Sequence, residues 1–231
     1  MIACTVCGAQ NDDFAVVCAS CKSFLQTKVD NLNLFETLWA LMESPRAAFR
    51  RIALARNKNY VILLGSLLGI ATVYAVIWLR TMGPQFPNLA LLVGAGVLAG
   101  PPAGILLVLI LSLVVHRTGR LLGGRGTFRN VRAVVTYAAV PVVYSLVLVF
   151  PAEIALFGTY FFSNNPPPLV INPVAYVVLL ALDGAAVLWS LALLVEATGV
   201  VNGFGRWRAV IVACTVICLT SLAAFGIRHA G

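Results

Sequence analysis

Four cysteines near the start of the chain have the spacing of a metal site. Cys4 and Cys7 form one pair and Cys18 and Cys21 a second, with two residues inside each pair and ten between the pairs. Four thiolates suit the tetrahedral geometry of a structural Zn²⁺ ion and leave no coordination position free for catalysis. Gly8 allows the first turn to close. The pattern therefore predicts one structural zinc ion. Iron in a rubredoxin-like site is the alternative, and disulfides would need an oxidising compartment.

A second candidate is an acid in the middle of a long apolar run. Asp183 would be costly in lipid as a carboxylate, so we expect it to face the bundle interior or a wet cavity. One interpretation is structural: a protonated Asp183 bonds backbone groups freed by Pro101 and Pro102 in another helix. The other gives it a proton-relay, ion-binding or lipid-headgroup role. Glu153 and Glu196 lie near predicted helix ends, where we expect them to be solvated.

The patterns of known catalytic sites are absent from the sequence. It contains no G-x-S-x-G, no H-E-x-x-H and no G-x-x-x-x-G-K-[ST] motif. The glycine-rich stretch 123–126 does not follow a predicted strand, so it is not typical of a phosphate-binding loop. We predict that the protein is not an enzyme.

The elements that must position these residues are membrane helices. Hydrophobic residues make up 61% of the chain and charged residues 10%, against roughly 45–50% and about 25% in soluble domains. A spanning helix needs about 20 mostly apolar residues. Five segments fit: 60–79, 89–115, 134–150, 174–195 and 209–227. The predicted fold class is an all-α integral membrane protein, a five-helix transmembrane bundle with a small N-terminal four-cysteine zinc knuckle and amphipathic interfacial helices.

Three zones follow one another along the chain. Residues 1–33 form the zinc knuckle and a linker, residues 34–58 the amphipathic helices, and residues 59–231 the five-span membrane domain. Within the third span, residues 153–162 continue the apolar run as a kinked extension or an interfacial helix. The middle zone has apolar residues at helical spacing: Phe35, Leu38, Trp39, Met42, Phe49 and Ile52. This face either lies in the headgroup layer or packs on the membrane domain or a partner.

The positive charges predict the orientation in the membrane. Of the 16 Lys and Arg residues, 14 precede the first span or lie in the second-to-third and fourth-to-fifth connections. Only Arg80 and Arg228 fall on the other side. The positive-inside rule then places the N-terminus in the cytoplasm and the C-terminus outside. No signal peptide is expected. Charges at helix ends favour contact with lipid headgroups, and we predict no nucleic-acid partner.

Glycines recur every four residues in the first two spans. Gly96, Gly100 and Gly104 do so in the second span, and Gly65 and Gly69 in the first. Such spacing lets helices approach closely in lipid. We expect these glycines to serve helix packing in a compact bundle, and the spacing also favours self-association.

Several stretches resemble the Yip (Ypt-interacting protein) membrane domain. They are Gly123-Gly124-Arg125-Gly126-Thr127-Phe128, then Tyr137-Ala138 and Pro141, and upstream Pro45-Arg46-Ala47-Ala48-Phe49. Five spans are the usual count of that family, and the resemblance covers residues 35–227. Prokaryotic relatives often carry an N-terminal zinc ribbon, which implies a prokaryotic cytoplasmic membrane here. Eukaryotic members associate with Rab-type GTPases in vesicle trafficking, and the family brings no catalytic residues.

The resemblance implies a membrane scaffold or adaptor. Its partners would be the lipid bilayer and other proteins, in a membrane complex or a homo-oligomer. Its role would be in trafficking, in membrane organisation or as an accessory to a transport complex. The alternative is a small transporter or channel that uses Asp183.

Overall fold

The computed structural model describes residues 2–12, 15–25 and 31–229. Lys28, in the predicted linker, and Gly231, at the predicted outer end, lie outside the described residues. Two short strands, β1 (Ile2–Ala3) and β2 (Gln10–Asn11), pair antiparallel in the knuckle. The helices follow in chain order: α1 (Leu34–Glu43), α2 (Pro45–Leu54), α3 (Val61–Leu79), α4 (Leu89–Leu121), α5 (Phe128–Ala138), α6 (Val140–Leu148), α7 (Phe150–Phe157), α8 (Pro168–Ile171), α9 (Pro173–Asn202) and α10 (Arg206–His229).

Five helical runs among the described residues are long and apolar enough to cross a membrane, which confirms the predicted five-span fold. They are α3, α4, the combined run Phe128–Phe162, α9 and α10. Several extend beyond the apolar segments in the sequence. At the end of α4, for example, Arg117 and Arg120 continue the helix, whereas an apolar pattern ends at the first charges.

The third span is a series of short helices rather than one continuous helix. Pro141 is the second residue of α6 and Pro151 the second residue of α7. Proline has no backbone N–H to donate and its ring clashes with the preceding turn, and in this span a new helix begins one residue before each of the two prolines. After α7 a short 3₁₀ helix, Gly158–Phe162, completes the run. The predicted continuation of this span is therefore helical, and the run includes Glu153.

The first and second spans pack backbone against backbone. A Cβ added at Gly69 would lie 2.0 Å from the carbonyl oxygen of Gly100, and one at Gly104 would lie 2.0 Å from that of Gly65. A Cβ at Gly96 would lie 2.1 Å from the ring of Tyr74. The helix α4 runs through Pro101 and Pro102 without a break.

The amphipathic face of α1 and α2 divides into two parts. Phe49 and Ile52 are buried, together with Leu41, which the predicted face did not include, and they belong to the same apolar core as residues of α5, α9 and α10. Phe35 and Trp39 on α1 are 82% and 63% exposed. Packing on the membrane domain is therefore the observed state of the first part. The second part has no neighbour among the described residues that covers it.

Candidate metal centre and intramembrane carboxyl pair

The two cysteine pairs fold into equivalent turns. In the first, the N–H of Cys4 donates to the carbonyl of Ala9, and the N–H of Gly8 donates to the carbonyl of Cys4. In the second, the N–H of Cys18 donates to Ser23 and the N–H of Lys22 to Cys18. Gly8 and Lys22 occupy the same place in the two turns, with φ of 72° and 62°. The second turn thus takes the left-handed conformation without a glycine.

The four thiols converge on one point. The Sγ atoms of Cys4 and Cys21 are 3.5 Å apart and those of Cys7 and Cys18 are 3.6 Å apart, and all four lie within 4.8 Å of one another. A tetrahedron with metal–sulfur bonds of about 2.3 Å needs sulfur–sulfur distances of about 3.8 Å. All four cysteines are free. The donor set therefore fits one tetrahedral metal ion.

Two residues that the sequence pattern did not mark surround the thiols. The hydroxyl of Ser23 lies 3.1 Å from Sγ of Cys4 and 3.0 Å from Sγ of Cys21. The side chain of Asn11 donates from Nδ2 towards Sγ of Cys18 at 3.5 Å. Its Oδ1 accepts a hydrogen bond from the N–H of Ala19 at 2.9 Å. Such outer partners orient ligands and stabilise their charged form.

Hydrogen bonds to the thiols lower the pKa of two of the cysteines, Cys4 and Cys18. The Ser23 hydroxyl, followed by the N–H groups of Cys7 and Val6, lowers the pKa of Cys4 to about 6. The N–H of Cys21 is the main cause that lowers the pKa of Cys18. A thiolate is the form that binds metal. Here the surroundings favour the thiolate of Cys4 around neutral pH and shift the pKa of Cys18 in the same direction.

The pKa of Cys7 shifts in the opposite direction because its neighbours are the other three thiols. The N–H of Ala9 favours its thiolate, but the side chain of Cys21, burial and the other two thiols outweigh it. The pKa of Cys7 is raised to about 11. A bound divalent cation reverses this order, since a coordinating thiol is deprotonated outright.

Asp183 takes its hydrogen bond from the third span. The hydroxyl of Ser145 in α6 donates to Oδ1 of Asp183 in α9. The expected partner, backbone freed by Pro101 and Pro102, is not the one observed among the described residues. Ser145 lies in α6, which begins at the interruption near Pro141, so the partner of Asp183 belongs to a different helix from the one we expected.

Glu153 is buried, which contradicts the prediction that it is solvated. It is 3% exposed and lines the same cavity as Asp183. The two carboxyls therefore lie in one cavity, close enough to interact electrostatically. The prediction was wrong because Pro151 suggested the end of a span, whereas α7 continues it. The apolar residues on both sides of Glu153 were the available signal.

The remaining predicted helix-end acid is paired rather than solvated. Glu196 is 21% exposed and lies 2.5 Å from Nε of Arg46 and 3.3 Å from Nη2 of Arg206. Nearby, Lys58 donates to the carbonyls of Ile52 and Ala53 at the end of α2. Burial, with the charge of Arg129 second, lowers the pKa of Lys58 to about 8. We call this part of the bundle, where α2, α9 and the start of α10 meet, the basic end.

The glycine-rich loop after α4 closes around a single asparagine at the basic end. A Cβ at Gly124 would lie 2.5 Å from Oδ1 of Asn202, and one at Gly126 would lie 2.9 Å from it. The N–H of Arg125 donates to the carbonyl of Asn202 at 3.3 Å. Gly123 has φ of 84°, a conformation that favours glycine. This stretch is therefore a packing motif that joins α4 to α9, and no phosphate-binding role is needed to explain its glycines.

These features define a five-span α-helical membrane protein with a four-thiol centre ahead of its first span. Residues 39–227 match the family described as Yip1 domain, and the chain belongs to that family. The family resemblance predicted from the loop and the pre-membrane stretch is thereby confirmed. The family is not an enzyme family. No curated protein and no solved structure matches the chain.

Proposed function

We propose that this chain is a non-enzymatic membrane adaptor. In this account the bundle anchors the protein, and the knuckle together with α1 recruits a protein partner at the basic end. The observation that carries the proposal is the division of the α1–α2 unit. One side is fixed to the bundle, and the other side presents large apolar groups that the described residues do not cover.

The fixed side gives the unit a defined position. Phe49 and Ile52 are fully buried against the membrane domain, and the ion pair of Arg46 with Glu196 joins α2 to α9. Within the unit, Arg51 forms a bidentate ion pair with Glu36. Its hydrogen bond to Arg51 lowers the pKa of Glu36. A surface held this way is presented in one orientation, which reduces the ordering cost of binding.

The other side has the composition of a recognition surface. Phe35, Trp39 and Met42 recur at spacings of four and three, so they lie along one helix face. They are 82%, 63% and 50% exposed. Aromatic residues and methionine are enriched at protein interfaces. We call these three residues the α1 outer face and assign it to a protein partner, with insertion into the headgroup layer as the competing outcome.

The metal in this account is zinc, bound by Cys4, Cys7, Cys18 and Cys21 as a structural ion. Four protein thiolates fill its coordination sphere, so the ion stabilises the fold and performs no chemistry. A segment this short has little core of its own, and metal binding supplies folding free energy on the order of 10 kcal/mol. Iron would give the same geometry but a coloured, redox-active protein.

The orientation follows from the charges. With the basic end in the cytoplasm, the knuckle and the α1 outer face meet cytoplasmic partners and the cysteines stay reduced. The C-terminal end of α10 then lies outside.

The proposal is tested by affinity purification of the full chain from its native membranes. We expect the wild type to bring down a stoichiometric protein partner that the double variant Phe35→Ala, Trp39→Ala loses. Trp189→Ala is the matched control, since Trp189 is an exposed tryptophan that lies in α9 and not on the α1 outer face. Retention of the partner by the double variant, with the same yield as wild type, would contradict the proposal.

A further inference from the structure

A half-open cavity of about 340 Å³ lies between α3 and α9. Tyr74 and Trp78 of α3 form one wall, and Asp183 and Val187 of α9 form the opposite wall. Residues of the interrupted third span, among them Phe150, line the remaining side of the cavity. The walls are almost entirely apolar and aromatic, apart from one cluster of oxygen atoms.

That cluster consists of Ser145, Glu153 and Asp183. Ser145 donates to Asp183, while Oε1 of Glu153 is buried and has no hydrogen-bond partner among the described residues. An acceptor left unsatisfied in a dry interior is costly, and such groups in native structures require an explanation. Glu153 is 3% exposed, so bulk solvent does not supply the missing donor.

No Lys, Arg or His lines the cavity in the part of the chain that the structure describes. Glu196, by contrast, has two arginine partners at the basic end. Two neighbouring carboxyls in a low-dielectric site do not both ionise, so at least one of them holds a proton. When one of the two carboxyls loses its proton, the pair carries one negative charge and has no cation beside it. A ligand with a positively charged hydrogen-bond donor would neutralise that charge.

The shape and walls of the cavity limit which class of ligand it can bind. A hard cation such as Ca²⁺ takes about six to eight oxygen ligands, whereas Ser145, Glu153 and Asp183 together carry five side-chain oxygens. The volume lies in the range of small-molecule sites, and aromatic faces such as those of Tyr74 and Trp78 attract cations. Asp183 is the eleventh residue of α9, about 15 Å along the helix. A phospholipid headgroup stays nearer the surface than this.

We propose that this cavity binds a lipophilic ammonium compound. Its protonated amine donates to Glu153 and Asp183, and its apolar body lies against Tyr74, Trp78 and Val187. The single charge of the carboxyl pair is then matched by the single charge of the ammonium group. This site is independent of the adaptor role, because it uses none of the residues of the α1 outer face.

The test uses purified full-length protein in detergent with adamantan-1-ammonium as the probe and adamantan-1-ol as its neutral match. Binding is followed by calorimetry or ligand-observed NMR. We expect the ammonium compound to bind at least tenfold more tightly than the alcohol. Asp183→Asn and Glu153→Gln should each weaken its binding at least tenfold, and Trp189→Ala should leave it unchanged.

A further variant covers the case in which a carboxyl substitution prevents folding. Val187→Trp fills the cavity from its half-exposed rim and leaves both carboxyls in place, so it should abolish binding of the ammonium probe while the protein keeps its unfolding temperature. Equal binding of the amine and the alcohol, or binding of the amine that survives Val187→Trp in the folded protein, would overturn the proposal.

Discussion

Nε of Arg46 lies 2.5 Å from Oε2 of Glu196, so an ion pair joins the pre-membrane helix α2 to the fourth span. The side chain of Arg46 is nevertheless 60% exposed, and exposed ion pairs contribute about 0–1 kcal/mol. Phe49 on the same helix is fully buried. Burial of Phe49 therefore holds α2 on the bundle, and the ion pair sets its orientation.

Substitutions in α2 and α9 should separate these two contributions. We expect Phe49→Ala to lower the free energy of unfolding by about 3–5 kcal/mol, because it removes a fully buried ring. Glu196→Gln should cost less than about 1 kcal/mol. Denaturant unfolding of both variants in detergent measures the difference. Equal losses would show that the ion pair, and not the apolar contact, fixes the α1–α2 unit.

Packing of the first two spans should be intolerant of a single methyl group. We expect Gly104→Ala to destabilise the bundle by at least about 2 kcal/mol, because its Cβ would lie 2.0 Å from the backbone oxygen of Gly65. Gly94→Ala is the control on the same helix, where a Cβ meets nothing within 4 Å. It should be neutral or slightly stabilising. Thermal unfolding in detergent compares the two, and a Gly104→Ala protein as stable as wild type would refute close packing.

The metal centre predicts one zinc ion per chain. Elemental analysis of the purified protein should find zinc at a ratio near one, and Cys18→Ser should lose it while all five spans still insert. Ser23→Ala should keep the metal with roughly tenfold lower affinity, as is usual when an outer partner of a metal ligand is removed. Cys214→Ser, an exposed cysteine in α10, is the control and should keep full zinc. Iron in place of zinc, or no metal, would refute this assignment.

The orientation can be tested with single cysteines introduced at the two ends of the bundle. A probe placed in the glycine-rich loop, at the exposed position of Arg125 for example, should be protected from a membrane-impermeant thiol reagent added to intact cells. A probe at Asn164, in the loop before α8, should react. The reverse pattern would place the basic end outside.

The sequence predicts best what depends on local pattern. The paired cysteines, the five apolar runs and the loop before Thr127 each lie within a short stretch, so their types and spacing suffice. The meeting of Glu153 with Asp183 could not be predicted this way. It depends on how Pro141 and Pro151 redirect the third span against α9, which is a tertiary effect.

The same distinction applies to the metal centre. The ligand spacing identified the four cysteines, but Asn11 reaches Cys18 only because β2 places it beside the second turn. Ser23 follows Cys21 closely in sequence, and a hydroxyl just after a ligand pair was the signal available for it. The sequence could not predict that Phe49 is buried and Phe35 exposed, because this depends on where the membrane domain lies.

Partner recovery from native membranes tests the adaptor account most directly. The comparison uses wild type, the Phe35→Ala, Trp39→Ala double variant and Asp183→Asn, with proton and cation flux measured on the same proteins in proteoliposomes. The account predicts a partner recovered with wild type and Asp183→Asn, lost with the double variant, and no flux in any of the three. A flux in wild type that Asp183→Asn abolishes, with no partner that depends on Phe35 and Trp39, would contradict it and favour a transporter.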